Sequence, residues 1–305
     1  MISNHLKFIN QAHQIASKNL GKTFPNPSVG CLICKNNQII SKAVTSSTGR
    51  PHAEETALKK AGKQAKGATM YVTLEPCFHS SQNGSCTDQI LRSGIKQIVI
   101  SCIDQDPRTK NKSIKKLKRN KIKVITGISK DRTISINKFF FKSLKKKKPF
   151  TKVKMAISSD EKIAWSNYKS KWISNSKSRS YAHSLRAKSQ AILTTSKTII
   201  KDNPRFTVRK NNTIIKNINI VIIDRNLKLP LNAKLLNNLH DKRVIIFTSK
   251  KNLKSQKLKQ LGCEIIEMRL EKNKLNLKKL FTHLYRLKIS DLLVEAGGIL
   301  FADLL

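Results

Sequence analysis

The sequence predicts a two-domain α/β protein, and three observations lead there. Its 305 residues are about twice the length one core commonly organises, roughly 150 residues per domain. Short apolar runs of β character alternate with helical stretches along the chain, which is the signature of layered α/β architecture. Between the halves, KKKKPF at residues 145–150 places a solvated lysine cluster before a proline that ends a helix.

The elements follow in order. MISNHLKFINQAHQIASKNL mixes polar and apolar residues at helical spacing. SVGCLICK and QIISKAV form paired strands, AEETALKKAGKQA a helix and ATMYVTL a strand. TDQILRSG is helical, KQIVIS is a strand, and the pattern continues through SIKKLKRN, IKVITGI and the helical ISINKFFFKSL. Pro149 breaks that helix and TKVKMAIS starts a strand, so the domains are placed at 1–146 and 147–305. In the second half SQAILTT, INIVIID, KRVIIFTS, GCEIIEM and DLLVEAGG are strands, with helical segments between several of them. The sequence shows neither an internal repeat nor a low-complexity segment.

The formal charge of +43 raises a nucleic-acid partner, because Lys and Arg neutralise phosphates and release counterions. However, 48 of the 61 basic residues are Lys and they run evenly along the chain beside abundant Asn and Ile, so compositional bias accounts for them better than a nucleic-acid footprint. No apolar run reaches membrane-spanning length, and the N-terminus lacks a signal-peptide core and cleavage site. A cytoplasmic protein is expected, with no membrane partner. Its six cysteines are then reduced thiols or metal ligands.

PHAEETAL, residues 51–58, sets a histidine and two acids at a helix start. Glu54 and Glu55 there suit the helix dipole whatever else they do. About 25 residues on, TLEPCFHSSQNGSC offers Cys77 and Cys86, each beside an expected helix start that favours the thiolate. One histidine and two thiolates make three zinc ligands and leave a tetrahedral position for water. Glu54, two residues after His52, matches the proton-shuttling glutamate in the H-x-E of zinc deaminases. CLIC is not read as a metal motif, since residues three apart on a strand face opposite ways. His183 is read as capping or packing.

PNPSVGCLIC, PHAEETAL, ATMYVTLEPCFH and CTDQILRSGIKQIVIS resemble the deaminase half of the bifunctional RibD family of riboflavin biosynthesis. The eight residues between Cys77 and Cys86 match that family, whereas nucleic-acid deaminases usually show C-x-x-C. The resemblance implies a cytidine-deaminase-like three-layer domain in which His52, Cys77 and Cys86 bind zinc and Glu54 is catalytic, with Asn26 and His79 lining the pyrimidine pocket. In the second half PFTKVKMAISSDEKIA, SKWIS, SLRAKSQAILTTSKTIIKDNPRFTVR and LLVEAGG resemble the family's reductase, of dihydrofolate-reductase-like fold. That likeness implies NADPH contacts at Ala156, Trp172, Thr198, Asp202, Gly297 and Gly298. It implies substrate contacts at Ser170, Arg186, Phe206, Arg209 and Glu295, with Lys154 a candidate near the ribose. Arginine forks suit a ribose phosphate, and glycines let a pyrophosphate approach the backbone.

The implied function is zinc-dependent deamination of a diaminopyrimidinone ribosyl phosphate followed by NADPH-dependent reduction of its ribosyl group. The expected partner is that small molecule, with nucleic acid disfavoured and a homo-oligomer left open. Three rivals stand beside it: a deaminase with an inactive reductase half, a tRNA deaminase, and a non-catalytic scaffold. Several positions depart from the family. HSSQNGSC lacks its prolines, DQDPRTKNKS its glycines, and Gln190 and Thr195 replace an Asp and a Gly. Glu161 stands where a Gly is usual, at a cost on the order of 1 kcal/mol or more if that turn needs positive φ. The sequence ends at GGILFADLL, which predicts a reductase sheet short of the family's last strands.

Overall fold

The computed structural model describes residues 2–79, 84–163, 173–211 and 213–305. The chain divides into two compact units, Met1–Lys146 and Lys147–Leu305.

The first unit runs α1 (Ile2–Lys18), β1 (Gly30–Lys35), β2 (Gln38–Val44), α2 (Ala53–Ala61), β3 (Thr69–Leu74), α3 (Cys86–Arg92), β4 (Gln97–Cys102), α4 (Lys112–Arg119), β5 (Lys123–Thr126), α5 (Lys130–Ile136) and α6 (Lys138–Lys146). Its sheet has the order β2-β1-β3-β4-β5, with β1 antiparallel to β2 and β3, and with β3, β4 and β5 parallel. Period-2 alternation splits the strand residues between two apolar layers. Cys31, Ile33, Met70, Val72, Ile98 and Ile100 pack with Ala57, Ile90 and Leu117, while Leu32, Cys34, Tyr71 and Val99 pack on Phe8, Ile9 and Ala12 of α1. The two cysteines of CLIC therefore lie in different layers. Gly30 is dictated by the close approach of α1: a Cβ there would sit 2.0 Å from the Ala12 carbonyl oxygen.

Two helices differ from expectation. AEETALKKAGKQA leaves the α-helix at Gly62, whose φ of 53° and N–H bond to the Leu58 carbonyl end α2; a 3-10 turn, Gly62–Ala65, follows. ISINKFFFKSL is two helices, not one. Asn137 is fully buried between them, its Oδ1 accepting from the Ser28 N–H at 2.7 Å and its Nδ2 donating to the Ser28 carbonyl at 3.0 Å. Its amide so replaces a strand neighbour for Ser28, a bond straight helix geometry would forgo.

The second unit runs β6 (Phe150–Val153), α7 (Ser176–Ala187), β7 (Ala191–Thr195), α8 (Ser196–Asp202), β8 (Val208–Lys210), β9 (Thr213–Lys216), β10 (Asn219–Ile223), β11 (Val244–Thr248), α9 (Leu253–Gln260), β12 (Glu264–Glu267), β13 (Leu270–Glu271), β14 (Lys274–Leu275), α10 (Leu277–Arg286), β15 (Asp291–Val294) and α11 (Gly298–Leu304). Its main sheet is parallel throughout, in the order β12-β11-β10-β7-β15-β6. Apolar layers cover both faces, which is why VIIFT of β11 is buried at every position. Complete burial of Phe247 alone contributes on the order of 2–3 kcal/mol. Gln190 joins β7 to β15 by accepting from the Ser290 N–H and donating to the Lys288 carbonyl, both at 2.8 Å. Among the described residues β6 is the last strand of the sheet and ends at Val153, where its partner β15 ends, so TKVKMAIS is extended only in its first half.

Candidate functional site

The first unit brings His52, Cys77, Cys86 and Glu54 together. His52 precedes α2 as its N-cap, and Glu54 occupies the first turn. Cys86 opens α3, which Ser85 caps through a reciprocal pair of bonds with Asp88. Cys77 lies in the loop after β3, not at a helix start, yet the N–H of Cys86 donates to its Sγ at 3.3 Å. Thr87 Oγ1 also donates to the Cys77 carbonyl, at 2.8 Å. One imidazole nitrogen and two sulfurs lie within 4.8 Å of one another, and His52 Nδ1 is 3.4 Å from Cys86 Sγ. Zinc bonds of 2.0–2.3 Å arranged tetrahedrally need donor separations of roughly 3.5 Å, so this donor set fits that ion. A hydrogen bond from Cys86 pulls the Cys77 thiol down to about 4, and the same contact pushes Cys86 up.

Glu54 is 3% exposed, and burial pushes its carboxyl up to about 7. Asn26 Nδ2 donates to the Gly49 carbonyl at 2.9 Å, tying the P-N-P turn to the loop that leads into His52. Gly49 has φ +85°, and a Cβ on it would meet that amide at 2.6 Å. His79 Nδ1 is buried with no hydrogen-bond partner among the described residues. One residue of the motif escaped sequence reasoning, Glu75 of E-P-C. Its buried carboxylate accepts from the N–H groups of Asp104 and Asn111, each at 3.1 Å, and from Ser113 Oγ at 2.7 Å. It thereby fastens the loop after β4 beside the cysteine loop, and the signal in the sequence was an acid set directly between the apolar strand MYVTL and Pro76.

In the second unit a cavity of about 1430 Å³ opens at the C-terminal ends of β7, β10 and β15, where parallel sheets place ligands. Ala156, Thr198, Asp202, Gly297 and Gly298 line it, as do Arg186, Phe206 and Glu295, and Lys154 joins them. Ser170 and Trp172 lie outside the described residues. Arg209 is not in the cavity wall; its side chain is exposed. Arg186 Nε and Nη2 bond Glu295 Oε1 and Oε2 at 2.6 and 2.7 Å, and Nη1 donates to the Thr207 carbonyl at 3.2 Å. A Cβ on Gly297 would meet nothing within 4 Å, so the backbone is open to a ligand there. Thr195, in place of a glycine, caps α8 by accepting from the Thr198 N–H at 3.3 Å. Arg225, in the turn after β10, also lines the cavity and was not anticipated. The dipeptide Asp-Arg after an apolar strand was the signal.

A soft-donor metal triad with a buried glutamate, and a separate nucleotide-sized cavity on a parallel sheet, define a protein that joins a zinc-dependent deaminase to a dinucleotide-dependent reductase. Residues 2–102 match the cytidine and deoxycytidylate deaminase zinc-binding region, and residues 149–305 match the RibD C-terminal domain. The chain is 38% identical to the riboflavin biosynthesis protein RibD of Aquifex aeolicus, over 96% of this chain and 80% of that one. It is 35% identical to its counterpart in Buchnera aphidicola, over 98% and 82%. Among solved structures, RibD of Acinetobacter baumannii superposes with a TM-score of 0.89 at 34% identity, covering 99% of this chain and 83% of that one. A diaminohydroxyphosphoribosylaminopyrimidine deaminase/5-amino-6-(5-phosphoribosylamino)uracil reductase of Thermotoga maritima gives 0.84 at 32%, covering 97% and 82%. The chain belongs to the RibD family: it is a bifunctional deaminase and reductase of riboflavin biosynthesis, and its cofactors are Zn2+ and NADPH.

Proposed function

We propose how the two sites divide the work. The first unit deaminates 2,5-diamino-6-ribosylamino-4(3H)-pyrimidinone 5′-phosphate, and the second reduces the ribosyl group of the product to ribityl. The observation that carries the first assignment is the convergence of His52, Cys77 and Cys86 beside the buried Glu54. When bound by that triad, zinc supplies the Lewis acidity that makes water a nucleophile at neutral pH. Glu54 takes one proton from the attacking water and passes it to the ring nitrogen, then carries the water's second proton to the amino group, which leaves as ammonia as the C–N bond breaks and the carbonyl forms. Asn26 and His79 frame the pyrimidine.

In the second unit NADPH supplies the hydride when bound. Ala156, Thr198, Asp202, Gly297 and Gly298, with Trp172, hold the cofactor. Arg186, Phe206 and Glu295, with Ser170 and Arg209, orient the ribosyl phosphate, the Arg209 guanidinium suiting its anionic group while Glu295 engages the fork of Arg186. We place the enzyme in the cytoplasm, a setting that keeps cysteines such as Cys31, Cys34, Cys102 and Cys263 reduced.

A single reaction with the diaminopyrimidinone substrate and NADPH tests both assignments, with ammonia release and NADPH oxidation recorded together. Both signals are expected. Ammonia without NADPH oxidation would refute the second assignment, and neither signal would refute both.

A further inference from the structure

We propose that His183 is a positioning residue of the reductase site, gripping the Thr207–Arg209 segment from α7 so that Arg209 stands where the substrate's anionic group can meet it. The inference rests on the reading of Arg209 as a substrate contact. His183 and Arg186 lie three residues apart on α7 and so share a face. Arg186 Nη1 donates to the Thr207 carbonyl at 3.2 Å, and His183 Nδ1 accepts the Arg209 N–H at 3.1 Å. One carbonyl and one amide on alternate residues of an extended segment are thus satisfied from the helix, as a neighbouring strand would satisfy them. The opposite side of that segment pairs with β9, Arg209 against Ile214.

The grip also accounts for Phe206, the buried residue that precedes the segment. Its φ is 51°, a conformation that a bulky side chain keeps only where its surroundings enforce it. Arg186 supplies part of that enforcement, its guanidinium lying 5.9 Å from the Phe206 ring centroid.

An imidazole nitrogen accepts a hydrogen bond only while it carries no proton. The groups facing His183 are Arg186 from its own helix, Arg209 and the Thr207 carbonyl from the gripped segment, and Glu295 from the segment after β15. Burial first, then the two guanidiniums, hold the imidazole below its ordinary value, against opposition from Glu295 and Thr207. The accepting form therefore prevails at neutral pH, and acidification leaves the Arg209 amide without its partner.

The test uses the full-length enzyme and measures KM for the aminouracil ribosyl phosphate between about pH 5 and 8, the range in which histidine commonly titrates. His183→Leu should raise KM at neutral pH by about 2- to 10-fold, as expected for one lost hydrogen bond, and should leave kcat and KM for NADPH near wild type. His183→Asn keeps an accepting oxygen that cannot titrate, so its KM should rise less steeply with acid than that of the wild type; titration of the substrate phosphate is common to both. A wild-type KM in the Leu variant, or the wild-type acid limb in the Asn variant, would overturn the proposal. Hydrogen exchange of the Arg209 amide reads the grip without turnover. It should speed up in the Leu variant, and unchanged exchange would also overturn the proposal. If the wild-type chain oxidises no NADPH, the reductase reading fails separately.

Discussion

Arg186 and Glu295, 109 residues apart in sequence, meet as a parallel fork of two bonds at 2.6 and 2.7 Å. Their side chains are only 16% and 9% exposed, so the pair joins α7 to the segment after β15 in a largely dry setting. Removing one partner leaves the other charge buried and alone, which typically costs about 3–5 kcal/mol, whereas an apolar replacement of both is often neutral. Arg186→Met should therefore destabilise the second unit strongly, and the double variant with Glu295→Met should recover most of that loss while remaining inactive as a reductase. Urea unfolding of the three proteins checks it; equal losses in single and double variants would show that the pair does not act as a unit.

Glu54→Gln keeps the shape of the side chain and removes its proton-carrying capacity. Ammonia release should fall by about 10²- to 10⁴-fold, the usual contribution of general acid–base catalysis, with one zinc per chain retained. Zinc analysis of the purified variant is the critical reading, because loss of metal would make Glu54 a ligand and not a carrier.

Cys86→Ser should lose the metal and lower the unfolding midpoint of the first unit, since zinc binding is coupled to folding. The second unit has its own core and should unfold as before. A strong chelator on the wild-type protein should reproduce the effect. A Cys86→Ser protein with full zinc would require a different third ligand.

Asp104 gives a pH-dependent stability. Burial, with Asp106 and Glu75 nearby, pushes its carboxyl from 3.8 up to about 7. The unfolded chain ionises this group first, so stability is fully present below the ordinary value, falls as pH rises towards about 7, and stays reduced above it. Asp104→Asn preserves an oxygen for the Asp106 N–H that Asp104 accepts at 2.9 Å. It should stabilise the first unit by on the order of a few kcal/mol near pH ~8 and by almost nothing near pH ~3. Thermal melts at both values decide it, and an equal shift at both would mean the carboxyl is not strained by burial.

Glu161 holds φ +61° in a turn where the Ser158 N–H donates to the Lys162 carbonyl at 2.9 Å. A side chain in that region costs roughly 1–2 kcal/mol, and glycine escapes the penalty. Glu161→Gly should therefore raise stability by about 1 kcal/mol; a loss of stability in chemical denaturation would contradict this.

Sequence and structure agree where chemistry and spacing were local. His52, Cys77 and Cys86 could be singled out because few residue types bind zinc and their intervals are short, and Glu161 stood out because only a turn of one hand requires glycine. What could not be read depended on distant neighbours. Nothing in ISINKFFFKSL reveals that Ser28 needs the Asn137 amide, and nothing near Arg186 names Glu295 as its partner. The β8–β9 hairpin was hidden because Ile214 and Ile215 are both exposed, so no alternation of apolar and polar residues marks it. Arg209 lies on that same hairpin, and its place outside the cavity wall was equally unreadable.

The insertion of β15 between β7 and β6 sets the order in which the second unit can assemble on the ribosome. Strands β7, β10, β11 and β12 lie side by side and can pair as they emerge, but among the described residues β6 pairs only with β15. From Val153 to Asp291 no described strand pairs with the earliest one, and the flank of β7 that takes β15 waits equally long. Such delayed pairing slows folding and keeps a sticky edge exposed. During synthesis, the nascent enzyme is most vulnerable to misassembly in the interval before Leu292 and Leu293 arrive to join the two parts of the sheet.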